Sequence, residues 1–352
     1  MRYYILTVPG IETITMRELQ DSFKGSSRFD AAPGRLVFDF SGDAADLLKL
    51  GTAEDVFALV AEGTIDSSRR GLRQAQASVR KSRLLHQATK AHRDVSGRQP
   101  RKRTFRVVTQ RNAGQHAYRR VDLQQAVSKA LSGALPSWRI VSENAEVEIW
   151  VLHDRDDFLC GVRLSDRSMR HRDYKDVSLP ASLRPVVARA MVLISEPESG
   201  DVFLDPMCGA GTIPIERGQD SRYRYLLAGD MDPEAVAAIR TNVGPRYKPI
   251  GIVRWDARRL ALAERSVDKI VCNPPFGRKS RGDSDETALY TAFLDEAARV
   301  LTPGGVAVLL TSRIQLMTAL VKQRRLLRLE TKYRIRVLGM EATIFRIRRI
   351  AA

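Results

Sequence analysis

Short, mostly apolar runs over 3–8, 34–40 and 56–60 read as strands. Over 12–23 the apolar positions Ile14, Leu19 and Phe23 fall at helical spacing, and 43–50 reads as a short helix. These segments describe a small α+β unit. Further on, Ala75, Val79 and Leu84 place one helix over 74–90, and 104–109 reads as a strand followed by a polar loop over 111–118. Asp122 stands where the N-cap of a helix through 131 is expected. Residues 146–152 and 158–164 pair as a hairpin across His153-Asp154-Arg155-Asp156-Asp157.

After 185 the period changes. A helix over 186–194 is followed by strand 202–205, a helix from Thr212, strand 225–230, helix 232–243 and strand 252–255. Strand 267–272, helix 289–301 ending at Pro303-Gly304-Gly305, and strand 306–311 follow. Residues 328–337 and 342–348 flank Gly339-Met340-Glu341 as a closing hairpin. Strands alternating with helices predict a doubly wound, mostly parallel sheet.

The first strand of that sheet runs into Asp205-Pro206-Met207-Cys208-Gly209-Ala210-Gly211-Thr212. Gly209 and Gly211 let the backbone turn sharply and leave room for a ligand. Pro214 suits a first helical turn. A P-loop lysine is absent, and Pro214 stands where a dinucleotide fingerprint needs its third glycine. Asp205 could accept from an ammonium group. Asp230, about 20 residues on, has the spacing used for a ribose hydroxyl. Ammonium at one end and ribose at the other describe S-adenosylmethionine, although the loop alone also fits an ordinary βα turn.

A second motif narrows the reading. Strand 267–272 ends in Asn273-Pro274-Pro275-Phe276-Gly277. The two prolines hold the backbone out of a helix. The Asn273 side-chain oxygen and the Pro274 carbonyl can both accept from a planar amino group, and Phe276 offers a face for a base. An exocyclic amino nitrogen on such a base is a poor nucleophile, because its lone pair is delocalised into the ring. Accepting both of its protons helps to localise that pair, and positioning can supply much of the acceleration. The base must leave its stack to arrive there.

With these motifs the C-terminal half resembles the class I S-adenosylmethionine-dependent amino-methyltransferases. The whole chain resembles the THUMP-domain RNA guanine-N2 methyltransferases. The resemblance implies an α/β fold: a Rossmann-like methyltransferase domain over 181–352, with a mostly parallel doubly wound sheet and a C-terminal antiparallel hairpin. An α+β ferredoxin-like domain (1–65), a THUMP RNA-binding domain (66–165) and a linker (166–180) would precede it. It implies S-adenosyl-L-methionine held near Ala181, Ser182 and Leu183, by Asp205, Cys208, Gly209, Gly211 and Thr212, by Asp230 and Met231, and by Asp256, Ala257 and Asn273. Asp256 would reach the adenine amino group, and Asn273, Pro274 and Phe276 would carry the catalytic work. The implied partner is tRNA, gripped at its 3′ end and methylated in the acceptor stem. Asn before Pro-Pro leans towards position six over position ten, and ribosomal RNA stays open.

Charge supports a polyanionic partner. The net charge is +17 and the pI about 10.2. Residues 69–111 hold fourteen Lys/Arg against one acid, Asp94. Within it Arg101, Lys102, Arg103 and Arg111 are the candidate RNA-binding residues. A second basic stretch, 313–349, holds eleven Lys/Arg and two acids, Glu330 and Glu341. Residues 277–285 read either as a lid over the target nucleotide or as an ordinary loop. The charged stretch 165–176, with His171 and Tyr174, reads as a connector that is either solvated or touching RNA.

The three cysteines, Cys160, Cys208 and Cys272, show neither metal nor disulfide spacing. With no membrane span and no signal sequence expected, a cytoplasmic monomer without metal is the expectation. Neither Cys208 nor Cys272 stands where a nucleophile for pyrimidine-carbon methylation is needed. Two alternatives remain: another planar nitrogen (an adenine amino group in nucleic acid, or a glutamine amide), and a non-catalytic RNA-binding or chaperone protein. From the sequence, a fragment starting near Asp176 is expected to keep the cofactor site.

Overall fold

The computed structural model describes residues 1–97, 103–111, 114–180, 182–275, 283–337 and 339–351. The chain divides into two compact units. One comprises Met1–Leu6 and Leu19–Met169, the other Thr7–Glu18 and Arg170–Ala352.

In chain order the first elements are β1 (Arg2–Leu6), α1 (Glu12–Ser22), β2 (Ser26–Ala32), β3 (Arg35–Phe40), a 3-10 helix (Ala44–Lys49) and β4 (Asp55–Thr64). Then come α2 (Arg70–Lys81), α3 (Leu85–Ser96), β5 (Thr104–Arg111), α4 (Arg120–Ala134), β6 (Arg139–Ile140), β7 (Val147–Asp154) and β8 (Asp157–Arg163). The strands form one eight-stranded sheet in the order β2-β3-β1-β4-β8-β7-β5-β6. The expected single helix over 74–90 is two helices. Ser82 leaves helical geometry (ψ 128°), its hydroxyl donates to the Val60 carbonyl, and its oxygen accepts the Leu84 N–H at 3.1 Å. Asp122 is not the N-cap of α4 but its third residue. Its carboxylate accepts the Arg119 N–H at 2.8 Å, which moves the start back to Arg119. β2 escaped the sequence reading because it is polar and half-exposed along its length; β6 is only two residues long.

After α5 (Ser168–His171) the elements are α6 (Pro185–Ile194), β9 (Val202–Asp205), α7 (Thr212–Asp220), β10 (Tyr225–Asp230), α8 (Pro233–Val243) and β11 (Ile250–Arg254). They continue with β12 (Val267–Cys272), α9 (Asp283–Val300), β13 (Leu301–Thr311), α10 (Ile314–Lys322), β14 (Leu327–Val337) and β15 (Met340–Arg349). The sheet order is β11-β10-β9-β12-β13-β15-β14. Neighbours from β11 to β13 are parallel, and β15 runs antiparallel between β13 and β14. This is the α/β architecture expected. Pro303-Gly304-Gly305 does not cap a helix; it is a bulge in β13, where pairing jumps from Val267↔Leu301 to Lys269↔Val306. Residues 283–285 begin α9 instead of closing a loop. α10 went unrecognised because its apolar run nearly abuts that of β13.

Alternation along the central strands builds two cores. Leu204, Ile270, Cys272, Leu309 and Phe345 face α9 and α10. Phe203, Val271, Val308, Leu310 and Ile344 face the other way, onto α6. α6 is apolar nearly all round, as a fully buried helix must be. The last layer over it comes from the far end of the chain. Val8, Ile11 and Ile14 are buried in the same cluster as Met191, Ile335 and Ile344. The Pro9 carbonyl accepts the Arg336 N–H at 3.0 Å, and Glu18 accepts from Arg189 at 2.8 Å.

The stretch read as a connector is packed as well. Tyr174 is buried and donates to Glu216 on α7 at 2.7 Å; Arg172 lies 3.4 Å from the same carboxylate. Burial, acting first, raises the Glu216 pKa, and these partners oppose it.

Candidate active site

Because β9 lies between β10 and β12, the chain leaves β9 to opposite sides, and a crevice opens at the carboxyl ends of these strands. Asp205, Asp230 and Asn273 end or follow the three strands. The structure therefore gathers the predicted acids and the Asn-Pro-Pro turn along one edge.

The β9–α7 loop is held from three sides. Gly209 N–H donates to Asp230 Oδ2 at 2.9 Å, while Asp230 Oδ1 takes the Asp232 N–H at 3.0 Å. The Cys208 N–H reaches the Gly229 carbonyl at 2.9 Å. Asn242, buried on α8, donates to the Ala210 carbonyl at 2.9 Å and to the Val177 carbonyl at 2.9 Å, and accepts the Val177 N–H at 2.8 Å. Trp255 Nε1 donates to the Pro206 carbonyl at 3.1 Å. Its ring lies over Gly229, where a Cβ would stand 2.2 Å from that nitrogen. Neither Asn242 nor Trp255 was singled out from sequence. A polar residue on the buried side of an otherwise apolar helix was the available signal for Asn242.

The two loop glycines do different work. Gly211 (φ +86°) could not carry a side chain, because a Cβ would lie 2.5 Å from Ile239 Cγ1. At Gly209 (φ +51°) a Cβ would meet nothing within 4 Å. Thr212 opens α7. Asp205 is only 1 % exposed, and its Oδ1 accepts the Met207 N–H at 3.3 Å. Burial, reinforced by the Asp230 charge, holds its carboxyl well above the usual range. Cys208 and Cys272 are buried, and burial followed by the Asp205 charge raises both thiols.

The remaining predicted residues fall as follows. Met231 is exposed, 61 %. Asp256 is bound by Arg258 at 2.6 Å, which lowers its pKa, and Ala257 is buried behind it. Ser182 closes a turn on Leu179, its hydroxyl donating to that carbonyl at 2.8 Å. The Leu183 carbonyl accepts from Lys175 at 3.4 Å. Ala181 and Phe276 lie outside the described residues, as does 277–282 of the proposed lid.

Asn273 Oδ1 is buried without a hydrogen-bond partner among the described residues. An orphaned acceptor of this kind costs about 1–3 kcal/mol unless a ligand satisfies it. The turn that carries it is fixed from behind. Tyr290, fully buried on α9, donates to the Pro275 carbonyl at 3.3 Å and shares a hydrogen bond with Thr311 Oγ1 at 2.9 Å. Burial pushes the Tyr290 pKa up to about 12, so its proton stays in place.

In the first unit Arg103 is exposed and helps to line a cavity of about 280 Å³ with His86, Thr89, Arg93 and Trp138. Arg111 ends β5 and donates to the Tyr118 carbonyl at 3.0 Å. Arg101 and Lys102 lie outside the described residues. Among the described residues there is no His/Cys/Asp/Glu cluster able to hold a metal, and no helix long and apolar enough to cross a membrane.

Comparison with known proteins agrees with this geometry. The mouse tRNA (guanine(6)-N(2))-methyltransferase THUMP3 is 30% identical over 72% of this chain and 53% of its own length. The tRNA (guanine(6)-N2)-methyltransferase of Thermus thermophilus is 30% identical over 61% of this chain and 64% of its own. The chain thus spans between half and two thirds of the length of these two relatives. A crystal structure of TrmN from Thermus thermophilus superimposes with a TM-score of 0.79 over 99% of both chains at 24% identity, a likeness of fold. Residues 172–340 match the model of the family described as RMKL-like, methyltransferase domain. The segment that builds the crevice is thus the part of the chain that is similar to the RMKL-like methyltransferase-domain family.

Proposed function

We propose that this chain is a cytoplasmic S-adenosylmethionine-dependent tRNA methyltransferase acting on the exocyclic N2 of a guanosine, at position 6 of the acceptor stem. The observation that carries the reading is the buried, unpartnered Asn273 oxygen on a turn braced by Tyr290. It is an acceptor prepared for a donor that no described residue supplies. The N2 position is drawn from the two relatives named for that modification.

The crevice fits the cofactor. Open space at Gly209 lets a ligand lie on the backbone. Each Asp230 oxygen accepts one backbone N–H, so each retains a lone pair for a ribose hydroxyl. Asp205 is an acid that a bound ammonium would return to its charged form. Asp256 serves the adenine amino group by sharing its exposed pair with Arg258, a pair of small worth. Ala181, Ser182, Leu183, Cys208, Gly211, Thr212, Met231 and Ala257 complete the proposed lining. S-adenosylmethionine supplies, when bound, an electrophilic methyl on a sulfonium. The chain's own part is to position the amine. Asn273 Oδ1 and the Pro274 carbonyl take its two protons, and Phe276 stacks on the base. Arg101, Lys102, Arg103 and Arg111 hold phosphates.

The test is incubation with labelled cofactor and bulk tRNA, followed by digestion to nucleosides. Label in N2-methylguanosine is expected; label only in N6-methyladenosine, or none, overturns the reading. The cofactor assignment has its own check. Gly209→Ala is expected to fold with a penalty of about 1–2 kcal/mol for its left-handed backbone, yet to bind S-adenosylmethionine at least tenfold more weakly, because the new methyl occupies ligand space. Unchanged affinity by calorimetry would remove the loop from the site.

A further inference from the structure

We propose that the tip of the β14–β15 hairpin is a second RNA contact, with Arg334 and Arg336 each taking a phosphate of the strand that flanks the target nucleotide. This rests on the RNA reading above. The second basic stretch looked uniform in sequence, and the structure divides it. Arg328, Arg346 and Arg348 converge on Glu330. Arg324 is held by Asp295, Arg313 by Glu286, and Arg349 is buried against the Ala298 carbonyl. Lys332 donates to Thr318 Oγ1 at 2.8 Å. Arg334 is exposed, with no ion pair among the described residues. Arg336 makes only a 3.6 Å contact with Glu341, both side chains being mostly exposed. Such a pair is worth little, and a phosphate can displace it.

Their position gives the charge its meaning. Thr311 of β13 pairs with Thr343 of β15, and Thr343 pairs with Arg334 of β14. Arg334 therefore stands in the same row as Thr311, the residue that meets Tyr290 behind the Asn-Pro-Pro turn. Three strand spacings separate β12 from β14, roughly 14 Å. Beyond that row the hairpin continues through Arg336 to Met340, so it projects past the edge on which the crevice opens. Tyr333, Ile335 and Val337 pack inward on the α6 side; alternation puts Arg334 and Arg336 on the opposite face, about 7 Å apart. Two exposed cations on one projecting face, one without an ion pair among the described residues and one loosely paired, lie beside a site that must hold an extruded base and match the phosphates on either side of that base.

The test compares two double variants that remove equal charge. Arg334→Gln/Arg336→Gln alters the tip. Lys322→Gln/Arg325→Gln alters two exposed cations just before the amino end of β14, away from the crevice. Salt titrations of tRNA binding are expected to show the log–log slope reduced by about 1.4–1.8 in the tip variant, at about 0.7–0.9 per phosphate. The control should keep the wild-type slope, and S-adenosylmethionine affinity should be equal in all three proteins. A wild-type slope in the tip variant, or an equal loss in the control, overturns the tip's role. Wild-type protein showing no salt-dependent tRNA binding overturns the RNA reading itself, and this one with it.

Discussion

Asn273→Ala is expected to lower the methylation rate at saturating RNA by roughly 10²–10³-fold, about 2.7–4 kcal/mol, the usual cost of removing one preorganised hydrogen-bonding group at a reacting centre. S-adenosylmethionine affinity should change little, because the lost oxygen faces the target amine. The side chain is small and its oxygen has no partner among the described residues, so truncation should not destabilise the fold. It removes an orphaned acceptor instead of creating one. Asn273→Asp keeps an acceptor and should retain a measurable part of the activity. Single-turnover assays with calorimetric cofactor binding separate the two effects. A wild-type rate in the alanine variant would mean that the turn does not hold the target amine.

The second large effect concerns a fragment. A chain starting at Asp176 is expected to show no cooperative melting transition and no cofactor binding, the reverse of what the sequence suggests. Such a fragment lacks Val8, Ile11 and Ile14, three buried apolar side chains of the second unit's own core. Each contributes about 1.5–3 kcal/mol. It also lacks Arg172 and Tyr174, leaving Glu216 buried without two of its partners, a loss on the order of 3–5 kcal/mol. Domain stabilities are only about 5–15 kcal/mol in total. Scanning calorimetry of the purified fragment decides the matter; a sharp transition with intact S-adenosylmethionine binding would show that residues 7–18 are dispensable.

What was legible in the sequence was local. Asp205, Gly209, Gly211 and Asp230 form a strand-turn-helix signature within one βαβ unit, and Asn273-Pro274-Pro275 fixes its own backbone. Both stand where the pattern put them. The residues that hold these motifs were not legible. Asn242, Trp255 and Tyr290 look like ordinary helix or strand-end residues until folding brings the Ala210, Pro206 and Pro275 carbonyls to them. The single helix over 74–90 failed for a related reason. Ser82 breaks it by bonding Val60, which lies 22 positions away. Charge was legible only as a sum. Which cations Glu330 neutralises and which stay unpaired depends on strand register.

The place of residues 7–18 also bears on how the protein is made. A ribosome releases Val8, Ile11 and Ile14 well before their α6 neighbours, which follow only after Pro185, and before Ile335 and Ile344, which follow later still. At about 5–20 residues per second, the roughly 320 residues between Ile14 and Ile335 take about 16–64 s to synthesise. Through that interval the apolar side of the nascent segment lacks part of its native cover. This short stretch is therefore where a holding chaperone has most to protect and where slow elongation most invites misassembly.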